Sequence, residues 1–478
     1  MQIAMKTYHL YPLILLLFLF PACSEDLMDN INENPNNPTD MAARLIITDV
    51  MTSSAFSVTG SDYAFYTSVY MELNTGIWGQ MYNAEIRLAE PTNATTYNNP
   101  WRSQYYNLYH LKIIIDKCSA GGNEEGNYQT LGVAEVLKAY NLALLTDLMG
   151  DVPYSEALQP GVIYQPKLDK QQAIYAEVIR LLDDAILNLG KTSTFAPLGT
   201  QDLIYAGNSA RWIKAAQGLK ARYTMRTSLK TPQYSKVIEY ANASFAAVAD
   251  EFKFVYNGAS SISPFARFFQ DRNYFGVSAS LHSKMTARND PRVALFFRPY
   301  PGLTVLNIAP NGNPQQVQQF YGVSALSTNT SPTYLMSLHE LHFLKAEAYA
   351  RMGQKDNAET SLKAALEAAF VKVGSTVAAA NTYYSTSLKP LFDADPLKEI
   401  MNQKYIASFE QEAVEAYNDY RRLVAMGNNV IQLANTRQFP LRLTYGDSDV
   451  STNQNIANAY GDGNYVYTEK VWWAGGTR

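Results

Sequence analysis

Apolar side chains recur every three to four residues through most of the chain beyond residue 41, the period of helices that bury one face. In residues 101–117 the stripe runs through Trp101, Tyr105, Leu108, Tyr109 and Ile113. Cys118-Ser-Ala-Gly-Gly ends it, with Gly121 and Gly122 free to take left-handed backbone. In residues 131–149 the stripe is Val133, Val136, Leu137, Tyr140 and Leu144, and Gly150 follows as a left-handed cap. Residues 41–51 predict a first helix with Asp40 as its N-cap.

These segments come in pairs. Residues 131–149 are followed by Ser155-Glu156-Ala157, a short helical start, and then by a helix over 170–189. The other pairs are 209–229 with 233–249, 336–352 with 357–370, and 396–409 with 413–424. The 336–370 pair carries the tetratricopeptide pattern. Ala348 and Tyr349 meet at the crossing, Gly353 makes the turn, and Ala358, Leu362 and Ala365 face back. The fold expected is mainly α: TPR-like helix pairs forming a partial solenoid, with long irregular loops and a few short strands. Residues 256–332 and 427–478 break the helical period with Asn, Gly, Pro and Ser, and loops of that length face ligands or partners. Residues 41–478 are read as one domain carrying these two inserts.

The N-terminus has a different pattern. Lys6 precedes an unbroken apolar run, LILLLFLF, over residues 13–20. That run is too short for a bilayer, which takes about 20 residues. It reads as a signal peptide over residues 1–22. Pro21-Ala22-Cys23 then places a small residue and a cysteine where a bacterial lipobox has them, although Phe20 and Pro21 depart from its commonest form. Cys23 is therefore the expected lipidation site, and several acyl chains on one cysteine give stable anchoring. Residues 23–40 contain Ser24-Glu25-Asp26 and then a stretch of Asn around Pro35 and Pro38, which suits a flexible tether.

Composition narrows the function. The net charge is −4 with no basic stripe, so nucleic acid is not an expected partner. Cys23 and Cys118 are the only cysteines, so there is no disulfide framework. Tyrosine is abundant, at 34 residues, and joins a flat apolar face to a polar tip. No GxSxG, GxGxxG or P-loop motif occurs, and no cofactor is expected. His339-Glu-Leu-His342 has one residue too few for the i, i+4 zinc helix motif and reads as packing. Asp447-Ser-Asp449 reads as a solvated turn, and no metal site is expected.

The most specific segment is LTDLMGDVPYSEA, residues 145–157. It resembles the "TD.yGDvPYseA" stretch of the SusD/RagB family of outer-membrane nutrient-binding lipoproteins. Further matches follow in order: WIKA and LKARY within 212–223, DPR at 290–292, LKAEA at 344–348, IMNQKY at 400–405, AYNDYRR at 416–422, FPLR at 439–442 and KVWW at 470–473. Ser24-Glu25-Asp26 likewise resembles the surface-export signal of lipoproteins in Bacteroidetes-type bacteria. The resemblance implies a lipid-anchored protein on the cell exterior that forms a lid on a SusC-like TonB-dependent barrel. It would capture an oligosaccharide, or less readily an oligopeptide, and pass it on without catalysis. Asp147, Asp151 and Glu156 read as turn and capping groups around Gly150.

The resemblance transfers no ligand residue, so the binding face is read from residue type. Trp78 and Tyr82 stand near Gly76, Gly79, Asn74, Gln80 and Asn83, where flat rings meet adaptable amides. Asp271-Arg-Asn-Tyr274-Phe275-Gly276 is a second such cluster, so Tyr274 and Phe275 join the candidates. Alternatively Trp78 is buried and locks its loop to the helices. Two other functions compete: an assembly scaffold using TPR-like grooves, and an all-helical glycan-degrading enzyme, which needs two facing carboxylates.

Overall fold

The computed structural model describes residues 40–478. The signal peptide, Cys23 and nearly all of the tether lie outside the described residues. Ala43–Arg478 forms one compact unit.

The helical stripes become antiparallel neighbours. Helix α1 (Ala43–Ser53) and helix α2 (Asp62–Tyr70) precede α3 (Gly79–Glu85) and the long α4 (Asn98–Cys118). Then come α5 (Tyr128–Met149), α6 (Gln171–Leu189), α7 (Ser209–Arg226) and α8 (Tyr234–Asn242). The chain packs α4 on α5, α5 on α6 and α7 on α8. Helix α9 (Pro264–Arg272) lies in the region read as irregular, and α10 (Leu338–Arg351) and α11 (Lys355–Lys372) form the TPR-like pair. Helices α12 (Pro396–Ala407) and α13 (Ala413–Ala425) complete the helical body.

Local chemistry sets the ends. Asn208 accepts a hydrogen bond from Arg211 N at 3.1 Å to cap α7. Asp395 accepts from Lys398 N at 3.0 Å, and Pro396 opens α12. Gly150 sits at φ +85°, and its N–H bonds to Thr146 O at 2.8 Å. A Cβ there would stand 2.9 Å from Arg442 Nη1, so crowding and backbone angle both demand glycine.

Helix α5 is buried on nearly every side, not along one stripe, because α4, α6 and α7 surround it. Its polar residues therefore need partners inside. Asn141 donates to Ser54 Oγ and Leu137 O at 2.9 Å each. Asp147 accepts from Tyr175 and lies 3.3 Å from Arg226. Asp147 is thus an ion-paired core residue and not a turn cap. Asp151 does act as a cap: it accepts from Gln171 N at 2.9 Å at the start of α6. Ser155-Glu156-Ala157 forms no helix, and Glu156 instead accepts from Lys167 N at 3.0 Å.

The ion pairs continue across the helices. Arg222 of α7 holds Glu340 of α10 and donates to Leu335 O at 2.7 Å. Arg422 of α13 reaches Glu347 of α10 at 2.6 Å and Asp419 at 3.0 Å. Burial alone would raise the Glu347 carboxyl, but Arg422 and Arg351 outweigh it and hold the carboxyl at about 2. His339 belongs to this interior: its Nε2 stands 2.8 Å from Glu412, which Lys372 also grips. Such pairs fix which helix faces meet more than they add stability.

Short strands tie loops to the body. Strand β1 (Asn74–Gly76) pairs with β5 (Phe275–Val277), β2 (Val152–Pro153) with β3 (Leu168–Asp169), β4 (Phe252–Phe254) with β8 (Thr333–Met336), and β6 (Phe297–Arg298) with β7 (Val323–Ser324). All four pairs are antiparallel.

Candidate functional site

The two aromatic clusters, about two hundred residues apart in sequence, meet at the β1–β5 pair. Thr75 sits opposite Gly276, and Ile77 N donates to Tyr274 O at 2.9 Å. The chain approaches this point through Glu72, a left-handed residue at φ +57°. Its carboxylate accepts from Ala434 N at 2.8 Å and Asn435 N at 2.6 Å, which compensates the strain.

The turn between β1 and α3 is built on glycine. A Cβ on Gly76 would fall 1.8 Å from Met81 O. Gly79 has φ +53°, and a Cβ there would stand 2.7 Å from Cε2 of Tyr274. The Tyr274 ring thus lies directly on the backbone that follows Trp78. Glu85, at the far end of α3, closes the loop by accepting from Gly76 N at 3.1 Å and Gly312 N at 2.5 Å. Burial pushes its carboxyl up to about 7, against the pull of Arg87 and the two backbone donors.

This frame presents Trp78 in extended backbone as the residue before α3, 38% exposed. Tyr82 follows one helical turn later, half-buried, and its N–H bonds to Trp78 O at 3.1 Å. Tyr274 is half-buried with its ring edge-to-face against Phe268 at 5.8 Å. Phe275, the first residue of β5, is the more buried of the two: it is 8% exposed and packs against Phe65, Phe265 and Phe268. Both rings touch Phe268, Tyr274 from the half-buried side and Phe275 from the core. Phe275 supports the site from beneath.

Beside this loop opens a cleft of about 460 Å³ between α2, α9 and residues 90–99. Gln80 of α3, two residues past Trp78, lines it. Its floor is aromatic, with Phe65 and Phe268, and Phe56 is exposed at its edge. Its charged groups are Asp62, Glu90 and the α9 residues Arg267, Asp271 and Arg272, joined by the amides of Gln80 and Asn99 and by hydroxyls from Ser61, Thr95 and Thr96. Glu90 accepts from Tyr66 at 3.2 Å and from Asn83 at 3.3 Å. Arg267 pairs with Asp271 at 3.0 Å. Burial lifts the Asp62 carboxyl to about 6, with Asn99 drawing it slightly down. Volume and lining suit a small polar ligand with apolar faces.

The sequence named Asp271 and Arg272 of α9 in its second cluster, but not Asp62, Asn99 or the start of α9 as parts of this cleft. Asp447-Ser-Asp449 is not a solvated turn but the start of a short helix, Asp447–Thr452: Asp449 accepts from the indole of Trp101, and Asp447 N donates to Asn98 Oδ1 at 2.6 Å.

A family model for SusD-like proteins, described as "Starch-binding associating with outer membrane", matches residues 35–446. Among solved structures, a SusD/RagB family protein from Bacteroides thetaiotaomicron is similar at 41% identity and TM-score 0.87, over 92% of this chain and 100% of that one. A chitin-binding protein shares the fold at 22% identity and TM-score 0.73, over 91% and 99% of the two chains. So does a chitin-binding SusD homologue from Flavobacterium johnsoniae, at 20% identity and TM-score 0.72, over 90% and 98%. No curated protein sequence matches this chain.

Proposed function

This chain belongs to the SusD/RagB family of nutrient-binding proteins associated with the outer membrane, and from that premise we propose that it captures a glycan fragment and delivers it to a SusC-like TonB-dependent transporter. The observation that carries the reading is the exposed Trp78, held on a glycine turn against Tyr274 beside the cleft lined by Gln80, Phe268 and Asn99. A pyranose ring has an apolar face for the indole and hydroxyl edges for the amides and carboxylates. Tyr82 and Tyr274 flank that surface. An oligopeptide is the less favoured ligand, since aromatic rings beside amide, hydroxyl and charged groups match the apolar face and hydroxyl edges of a sugar.

Cys23 is the proposed lipid anchor, with the protein on the cell exterior. The role is binding without catalysis. Glycoside hydrolysis requires two carboxyl groups poised across one bond. In this cleft Glu90 is engaged by Tyr66 and Asn83, Asp271 by Arg267, and Asp62, the one carboxyl raised by burial, by Asn99 at 3.5 Å, which supports a recognition surface.

Purification from native membranes in mild detergent, followed by calorimetry with starch- and chitin-derived oligosaccharides, tests both halves. The reading requires a co-purifying outer-membrane barrel and saturable binding without loss of ligand. Isolation alone contradicts the transporter partner, and release of shortened sugars contradicts the non-catalytic role.

A further inference from the structure

A second cleft lies further along α4. Its volume is about 400 Å³, and four tyrosines line it: Tyr105, Tyr106 and Tyr109 from the helix and Tyr164 from the loop opposite. Tyr106 is 60% exposed and Tyr164 77% exposed, so both rings are open to a ligand. The surrounding structure is rigidly supported. Tyr105 donates its hydroxyl to Pro153 O at 2.9 Å and packs its ring, tilted, against Trp101 at 4.8 Å. Trp101 in turn holds Asp449, which lines the cleft. The loop bearing Tyr164 closes on itself through Val162 N and Ile163 N to Gln159 O, at 3.1 and 3.2 Å. Asn453 pins it to the body by donating to Pro166 O at 2.8 Å.

The polar groups of this cleft are Gln159, Asn453 and Asp449, and among the described residues no lysine or arginine lines it. The first cleft differs, since Arg267 and Arg272 line it together with acids. Tyrosine faces with amides and one carboxylate fit a neutral sugar and disfavour an acidic one. The two clefts also share a scaffold. Asn99 lines the first and Tyr106 the second, seven residues apart on the same side of α4 and about 10 Å along its axis.

We propose that the tyrosine cleft is a second saccharide subsite, specific for neutral sugars, so that one glycan chain engages both clefts along α4. The proposal rests on the glycan reading of the first cleft for its common ligand. Two linked contacts raise the affinity for a long chain over that of either cleft alone.

The test is calorimetry with chitohexaose, maltohexaose and hexagalacturonate on wild type, Trp78→Ala, and Tyr106→Ala with Tyr164→Ala. Thermal melts of each variant and hydroxyl-radical footprinting accompany it. Both tyrosines are exposed, so the double variant should melt like wild type. A neutral hexaose should protect Tyr106 and Tyr164, and the double variant should bind it about tenfold more weakly. Trp78→Ala should keep residual binding that depends on those tyrosines. Unprotected tyrosines and unchanged affinity in the double variant overturn the second subsite and leave the first-cleft reading standing. Loss of binding in the double variant with none in Trp78→Ala leaves the tyrosine cleft as a lone site and overturns both the first-cleft reading and the chain spanning the two. Binding of hexagalacturonate alone, or of no probe by wild type, overturns the proposal.

Discussion

The phenol ring of Tyr274 rests on the backbone of Gly79, closely enough that a Cβ at residue 79 would stand 2.7 Å from Cε2 of the ring. That contact joins the loop bearing Trp78 to the strand pair beneath it, and it makes the display of Trp78 depend on a residue nearly two hundred positions away.

Gly79→Ala should therefore weaken ligand binding as well as stability. The φ of +53° strains any side chain, and the Tyr274 ring must move to admit the methyl. A loss of about 1–2 kcal/mol in stability is expected, with a larger proportional loss in affinity than in melting temperature. Paired thermal melts and calorimetry on Gly79→Ala and wild type measure it. A variant that binds as wild type detaches the loop geometry from function.

The buried pair of Arg422 and Glu347 predicts a different outcome. Both side chains are fully buried, and Arg422 also serves Asp419. Arg422→Met removes the cation shared by two buried carboxylates, leaving Glu347 to Arg351 and Asp419 to Lys404, and should destabilise by about 3 kcal/mol, the low end for breaking a buried pair. Denaturant unfolding checks this. Ligand affinity of the folded fraction should not change, since the pair holds helices α10 and α13 and does not line either cleft.

Stability should fall as pH rises from about 5 to about 7.5. Glu85, Glu135 and Glu410 are each pushed up to about 7 by burial, and Asp62 to about 6. Each raised carboxyl binds a proton more tightly folded than unfolded. Its contribution is therefore full below the ordinary carboxylate range and is lost as pH climbs through the folded value. His342, lowered to about 4 by burial and by Lys345, works in the opposite direction. Glu410→Gln isolates one group: its melting temperature relative to wild type should improve from pH 5 to pH 8. Parallel curves would remove Glu410 from the account.

Cys23→Ala should release the protein from the membrane or stall its processing. Phase partitioning in detergent reads this directly. Unchanged membrane retention would rule out Cys23 as the anchor.

The helical body was legible because its signal is local. The period and Pro396 sit within a few residues of what they determine, and most helix ends shift by only a few residues, although the helix read over 233–249 stops at Asn242. Three things were not legible. Helix α2 buries almost every side chain, so it has no stripe to detect. Helix α9 hides in a segment rich in loop formers, its order set by packing of Phe265 against Phe65 and Phe275. The split between Tyr274 and Phe275 depends on the partner of β5, which no local pattern names. The candidate site was thus readable as two clusters, while their meeting at β1 and β5, and the cleft between α2 and α9, required the fold.

The most direct test of the central claim is calorimetry of Trp78→Ala against wild type with chitohexaose and maltohexaose, alongside a thermal melt of each. The indole is exposed and its backbone is held by Gly76, Gly79 and Glu85, so the variant should melt within a few degrees of wild type. Affinity for whichever oligosaccharide binds should drop by about 1–3 kcal/mol, and moderate salt should leave it nearly unchanged. Wild-type affinity in a folded Trp78→Ala protein would contradict the assignment of this loop as the capture surface.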